Sequence, residues 1–307
     1  KAYLSKEGAK KIMCTYDKIP SLVSLLTPKE YRLLVDEYHN LLKIYSYRKE
    51  AVEGVLEHFN EFKSFCFMSA TPIAMDFKPD ALKDVEEYIA DWEHIEPLMI
   101  LPYQTNKPYY FAANLIETYR RQGYIERGEL KSYEAYFFIN SVTDIKKILE
   151  HTHLTNDDCR IICADEAKNR KTLGEYRISS STDAPKKFNF ITSKSFEGVD
   201  FYSETGICYV VSNIYNEYTL LSVDMDIPQI AGRIRNTNNP FRNLVVHLFN
   251  TRPKDYYENY EKAKKEIKEA LEYAKERATA YNRLSIGARK QQKSDLSKSS
   301  FLKYDKK

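Results

Sequence analysis

Glycine is scarce in this chain of 307 residues, with nine in all. No Gly-x-x-x-x-Gly-Lys-Ser/Thr string occurs in it. That excludes the loop whose backbone amides and lysine wrap the β- and γ-phosphates of a nucleotide. Long apolar runs are missing too: none approaches the roughly 20 residues needed to span a bilayer, so no membrane partner is expected. The opening Lys-Ala-Tyr-Leu-Ser-Lys has no apolar stretch of the signal-peptide kind. The five cysteines make no paired framework. Three of them fall in apolar runs, where reduced, buried thiols are expected. Cys159 and Cys163 are close in sequence, but no second pair completes a zinc site. These absences point to a reducing, cytoplasmic setting. Neither sign of charge dominates, since a net charge of +3 neither demands nor forbids a polyanionic partner.

What is present is a rhythm. Short apolar, β-rich runs alternate with stretches of helical period, the pattern of an α/β protein with parallel sheets. In the first part the expected strands are Lys11–Cys14, Tyr31–Val35, Phe65–Met68 and Pro97–Leu101. Between two of them Val52, Val55, Leu56 and Phe59 recur at helical spacing. In the second part the expected strands are Ala135–Ile139, Ile161–Ala164, Phe188–Ile191, Cys208–Val211 and Leu244–Phe249. Asp144–Leu149 suits a helix after the first of these. A polar, aromatic stretch with Pro108, Gly123 and Gly128 reads as the join. The division is therefore a first domain over 1–105, a linker over 106–131 and a second domain over 132–253. The Ala-, Glu- and Lys-rich segment 254–284 has strong helix propensity and is expected to lie over the second domain or project from it. Residues 285–307 read as a basic, flexible tail.

The most informative stretch is Asp36-Glu37-Tyr38-His39, directly after the apolar run Tyr31-Arg32-Leu33-Leu34-Val35. A strand that delivers adjacent carboxylates suits Mg²⁺, which bridges phosphate oxygens and takes only one or two protein carboxylates. Asp36 is placed for that role, and Glu37 to polarise an attacking water. The structural alternative is a solvated acidic turn after an edge strand. Three further blocks follow in order. Ser69-Ala70-Thr71 comes after Phe65–Met68; alone, it reads equally as a strand end before Pro72. Thr192-Ser-Lys194-Ser-Phe-Glu197-Gly198-Val199-Asp200 comes next. The last is Gln229-Ile-Ala-Gly232-Arg233-Ile-Arg235, whose guanidiniums are forked donors suited to phosphate.

In this order and spacing the blocks resemble the core of a superfamily-two helicase of the DExH type, over roughly Lys11 to Phe249. The short Gly-Arg-x-Arg form is similar to that of herpesvirus-type origin-binding helicases; in most of the family the second arginine would stand where Asn236 is. The resemblance implies two RecA-like parallel-sheet lobes, the first incomplete at its N-terminus because the phosphate-loop strand normally lies beside the acidic one. It implies ATP and Mg²⁺ as cofactors. Asp36 would hold the metal, with Glu37 as catalytic carboxylate and His39 reporting the γ-phosphate state. Ser69 and Thr71 would couple hydrolysis to lobe closure. Gln229, Gly198 and Asp200 would line the nucleotide, and Arg233 and Arg235 would reach its γ-phosphate. Thr192 and Ser193 would contact a nucleic-acid backbone. So would Thr15 in Thr15-Tyr16-Asp17 and Ser141 in Phe138-Ile-Asn140-Ser141. Ser141 also suits a helix cap, and Asp226-Ile-Pro228-Gln229 has the form of a capping box.

The function so implied is an ATP-dependent nucleic-acid helicase or translocase, with DNA favoured over RNA and little base specificity. Lacking the phosphate loop, these residues alone are expected to bind nucleotide poorly. The alternative is a catalytically inactive helicase-like module that binds nucleic acid or protein. A nuclease is disfavoured, since no carboxylate-rich constellation of that kind occurs.

Overall fold

The computed structural model describes residue 3 and residues 7–91, 93, 96–252, 260–285 and 287–289. The chain divides into two compact units, one running to Tyr88 and including the C-terminal helix, the other spanning Ile89–Pro253.

In the first unit, a short helix α1 (Ile19–Val23) precedes strand β1 (Arg32–Val35). Helices α2 (Asn40–Lys43) and α3 (Tyr45–His58) follow, then strand β2 (Ser64–Phe67). The two strands pair in parallel, with Leu34 opposite Cys66. Alternation along them sends Leu33, Val35, Phe65 and Phe67 inward, against Val52, Val55 and Phe59 of the α3 segment. Leu34, Cys66 and Met68 are left exposed. Parallel sheets are normally covered on both faces; this one is covered on one. Gly54 lets α3 approach α1, since a Cβ there would lie 2.7 Å from Pro20 Cγ. The strand expected over Lys11–Cys14 does not form. That segment is exposed and irregular, and among the described residues no strand pairs with it to take up its backbone groups.

The second unit is built on strand β3 (Met99–Gln104), helix α4 (Pro108–Gln122) and a hairpin of β4 (Ile125–Arg127) and β5 (Leu130–Ser132). Strand β6 (Ala135–Phe138), helix α5 (Val142–Thr152), strand β7 (Cys159–Ile162) and helix α6 (Ala167–Leu173) come next. Strands β8 (Phe188–Ile191) and β9 (Ile207–Ser212), helix α7 (Asp226–Ala231) and strand β10 (Leu244–Phe249) complete it. The six-stranded sheet has the order β3-β10-β9-β6-β8-β7, and every pairing is parallel. Its central strands are buried on both faces. Phe137, Phe190 and Tyr209 stack in the core under α4 and α5, while their neighbours Phe138, Ile191 and Val210 face Ile227 and Ile230 of α7.

The expected linker over 106–131 is thus a correction. Pro108 opens α4 at its first turn, where a missing N–H costs nothing. Gly123, at φ 86, closes the helix by donating to Tyr119 O at 2.9 Å. Gly128 sits in the hairpin turn. These residues punctuate structure rather than mark its absence, and β3 carries the chain into the second sheet before them.

Helix α8 (Tyr260–Arg283) forms as its propensity predicts, but it groups with the first unit, where its Lys275 helps hold the Asp80 carboxyl below the usual range after Lys83. Residues 253–259, and the tail apart from 285 and 287–289, lie outside the described residues.

Candidate functional site

The acidic stretch leaves β1 in a tight turn. Asp36 is exposed, Glu37 half-buried and His39 fully buried. Glu37 has φ 50, in the left-handed region that a side chain with Cβ rarely adopts. Hydrogen bonds from three donors, Glu37 N–H, Tyr38 N–H and the Tyr16 hydroxyl, help hold the turn. Glu37 N–H donates to Asp36 Oδ1 at 3.0 Å, and Tyr38 N–H to Met68 O at 3.0 Å. The Tyr16 hydroxyl donates to Asp36 O at 2.7 Å, with Glu37 O at 3.2 Å. Backbone strain kept in place by such redundancy gathers at functional sites.

His39 Nδ1 is the hub of the cluster. It lies 2.8 Å from Ser69 Oγ, 3.3 Å from Thr71 Oγ1 and 3.3 Å from Glu37 Oε2. Thr71 N–H donates to Ser69 Oγ at 3.0 Å, so the small hydroxyls form a closed polar knot with the ring. Residues 36, 37, 39, 69 and 71, read from two separate motifs, are brought together.

The donor set suits a hydrated hard cation held partly by phosphate. Glu37 Oε2 is buried with no hydrogen bond of its own, and His39 Nδ1 at 3.3 Å is its polar neighbour. Asp36 stands exposed beside it. Among the described residues no three His, Cys, Asp or Glu side chains converge as a metal site; a cation bridged to phosphate oxygens needs only one or two carboxylates.

In the second unit, Asn140, Ser141, Thr192 and Ser193 lie at the carboxyl ends of β6 and β8, the edge where open α/β sheets take ligands. Ser193 N–H donates to Asn140 Oδ1 at 3.2 Å, tying the two ends together. Asn140, which the motif reading passes over for Ser141, is the residue that makes the link; its place as the first polar residue after the strand is the signal. Ser141 caps α5, accepting from Asp144 N–H at 3.2 Å. Burial works to raise the pKa of Asp144, but bonds with Lys147, Ser141, Tyr109 and Asn216 outweigh it and hold the carboxyl below its usual range. Thr192 is buried, its N–H donating to Ile162 O at 3.0 Å, whereas Ser193 is exposed. Thr15, in the first unit, is exposed in its turn.

The Gly198–Asp200 loop and the arginine block form one unit of structure. Gly198 has φ 69 with open space around it, so backbone conformation rather than crowding calls for glycine. Phe201 N–H donates to Arg233 O at 2.7 Å and Arg235 N–H to Phe201 O at 2.9 Å, a parallel bridge between Phe201 and Ile234. Extended backbone repeats every two residues, so Arg233 and Arg235 share a face while Ile234 is buried. Both face Asp200: Arg235 Nε donates to its Oδ1 at 2.9 Å, and Arg233 Nη1 lies 3.8 Å away. Arg233 is buried, donating to Gln229 O at 2.8 Å and Val199 O at 3.1 Å; Arg235 is half exposed.

The capping box expected at Asp226–Gln229 is displaced. Ser222 Oγ accepts from Met225 N–H at 3.2 Å, and Asp226 reaches back to accept from Ser222 N–H at 2.8 Å. Gln229 Oε1 lies 3.5 Å from Arg233 Nη2.

Comparison with protein-family models and with curated proteins gives no match for the chain. Among the described residues no helix is long and apolar enough to cross a membrane.

Proposed function

We propose that this chain carries the core of an ATP-driven nucleic-acid helicase or translocase built on two RecA-like lobes. The observation that supports it most is the knot of His39, Ser69, Thr71 and Glu37, because it joins two sequence blocks in the manner such a motor requires. A bare acidic turn after a strand has no need of a buried histidine held by hydroxyls from the next strand's end.

In this reading Asp36 would hold Mg²⁺, which when bound would supply charge neutralisation for phosphoryl transfer. Glu37 orients the attacking water and accepts its proton. His39 passes a change at Glu37 to Ser69 and Thr71. Arg235, with Arg233 behind it, offers guanidinium to the charge that develops on the transferred phosphoryl group. Ser193 and Thr15 present polar groups to a nucleic-acid backbone, which carries no base information. The second reading is a catalytically inactive helicase-like module that binds nucleic acid or protein.

The deciding measurement is ATP hydrolysis by the protein that contains this chain, with and without single-stranded DNA. Hydrolysis stimulated by DNA and lost on Glu37→Gln is expected. Hydrolysis unchanged by that substitution would overturn the motor, and nucleic-acid binding without any ATP turnover would establish the module.

A further inference from the structure

Tyr16 stands between two features that the functional reading treats separately. It follows Thr15, the exposed residue read as a backbone contact, and its hydroxyl reaches the main chain of the acidic turn at Asp36 O and Glu37 O. Its ring is half-buried against the first core, a place that phenylalanine would fill as well. The hydroxyl is what tyrosine adds, and it is spent on the Asp36 carbonyl, in the peptide that leads into Glu37, the residue of this turn with positive φ.

The segment around Tyr16 is stiff. Lys18 N–H donates to Thr15 O at 3.0 Å, closing a single 3-10 turn over Tyr16–Lys18. Asp17 pairs with Arg48 of α3. Desolvation works to raise the pKa of Asp17, but bonds from its own backbone and Thr15, then the charges of Arg48 and Lys18, together bring it below the usual range. A turn so pinned moves as a body, and its motion reaches the Asp36–Glu37 peptide through one hydrogen bond. At φ 50 Glu37 holds its place only while its surroundings over-determine it, so loss of one tie is felt by its carboxylate.

Resting on the proposed motor function, we infer that Tyr16 is a positioning residue that couples nucleic-acid contact at the Thr15 turn to the placement of the Glu37 carboxylate. Coupling of this kind is reciprocal. DNA bound at the turn steadies Glu37, and a nucleotide that steadies Glu37 tightens the hold on DNA.

The test is Tyr16→Phe in the protein that contains this chain, which removes one oxygen and keeps the ring. The DNA-stimulated kcat is expected to fall about tenfold, more than the unstimulated kcat, with KM for ATP unchanged. Stimulation equal to wild type would overturn the coupling. So would an equal fractional fall in both rates, which is what a merely structural role produces. A second readout needs no turnover: hydrogen exchange at the Glu37 and Tyr38 amides. Single-stranded DNA should slow it in the wild type and not in Tyr16→Phe, and equal protection in both would sink the relay. Absence of ATP hydrolysis in the wild type defeats the motor, and the exchange result then decides the relay by itself.

Discussion

Arg235 donates its Nε hydrogen to Asp200 Oδ1 at 2.9 Å, and the same carboxylate lies 3.8 Å from Arg233 Nη1. A Gly-Arg-x-Arg block can present both guanidiniums to one partner because its backbone is extended here, where residues two apart share a face. A helix would need a spacing of three or four. The shorter spacing is thus a consequence of the bridge to Phe201. Asn236 caps the turn that follows, its Oδ1 accepting from Asn238 N–H at 3.0 Å.

Burial separates the two arginines by role. Arg233→Ala would leave Val199 O and Gln229 O without their donor and is expected to destabilise the second unit by about 3 kcal/mol. Arg235→Ala breaks a half-exposed pair and should cost less than about 1 kcal/mol in stability. It should nevertheless lower ATP turnover by about a thousandfold. Urea unfolding and steady-state ATPase, measured on both variants, test the split; equal stability losses would contradict it.

Ser69 holds the knot from the side of β2. Ser69→Ala removes the oxygen nearest His39 Nδ1 and the acceptor of Thr71 N–H. A loss of about 2 kcal/mol in unfolding free energy is expected. Stimulated turnover should fall with it while ATP affinity holds, because neither Asp36 nor Glu37 is touched. Wild-type turnover in a folded Ser69→Ala protein would show that the hydroxyl only fills space.

His247, on β10, lies 3.0 Å through Nε2 from Ser212 Oγ, and burial holds its pKa below the ordinary histidine value. The sign follows from proton counting. The unfolded chain takes up a proton at this residue at a pH where the folded protein does not, so stability falls as pH drops below the unfolded value of about 6.5. The loss levels off below the folded pKa. His247→Gln keeps a polar partner for Ser212 and cannot titrate. Its unfolding free energy should be flatter than wild type between about pH 7 and 5 in parallel denaturant titrations; parallel slopes would remove His247 from the account.

The second unit's strands were the most legible part of the chain. Phe188–Ile191 and Leu244–Phe249 form just the strands their apolar runs predict, since a centrally buried parallel strand must be apolar on both faces. Lys11–Cys14 shows the limit. Its residues favour a strand, but pairing is a property of neighbours, and none is in place among the described residues. Pro108 and Gly123 misled for a related reason, because the residues that open and close a helix are also those that punctuate loops.

The candidate site divides in the same way. Asp36 and Glu37 could be named from the end of an apolar strand, whereas Ser69, Thr71, Asp200 and Arg233 rest on the resemblance of their blocks to a helicase core. Which arginine is buried, which oxygen meets His39 and where the Tyr16 hydroxyl lands are not local properties. The sequence by itself determined the alternation of strands and helices and the residue types at their ends. The tertiary structure alone decided how the sheet orders its strands and which side chains become partners, because hydrogen bonds between residues some 20 to 35 apart in the chain exist only once the fold has brought them together.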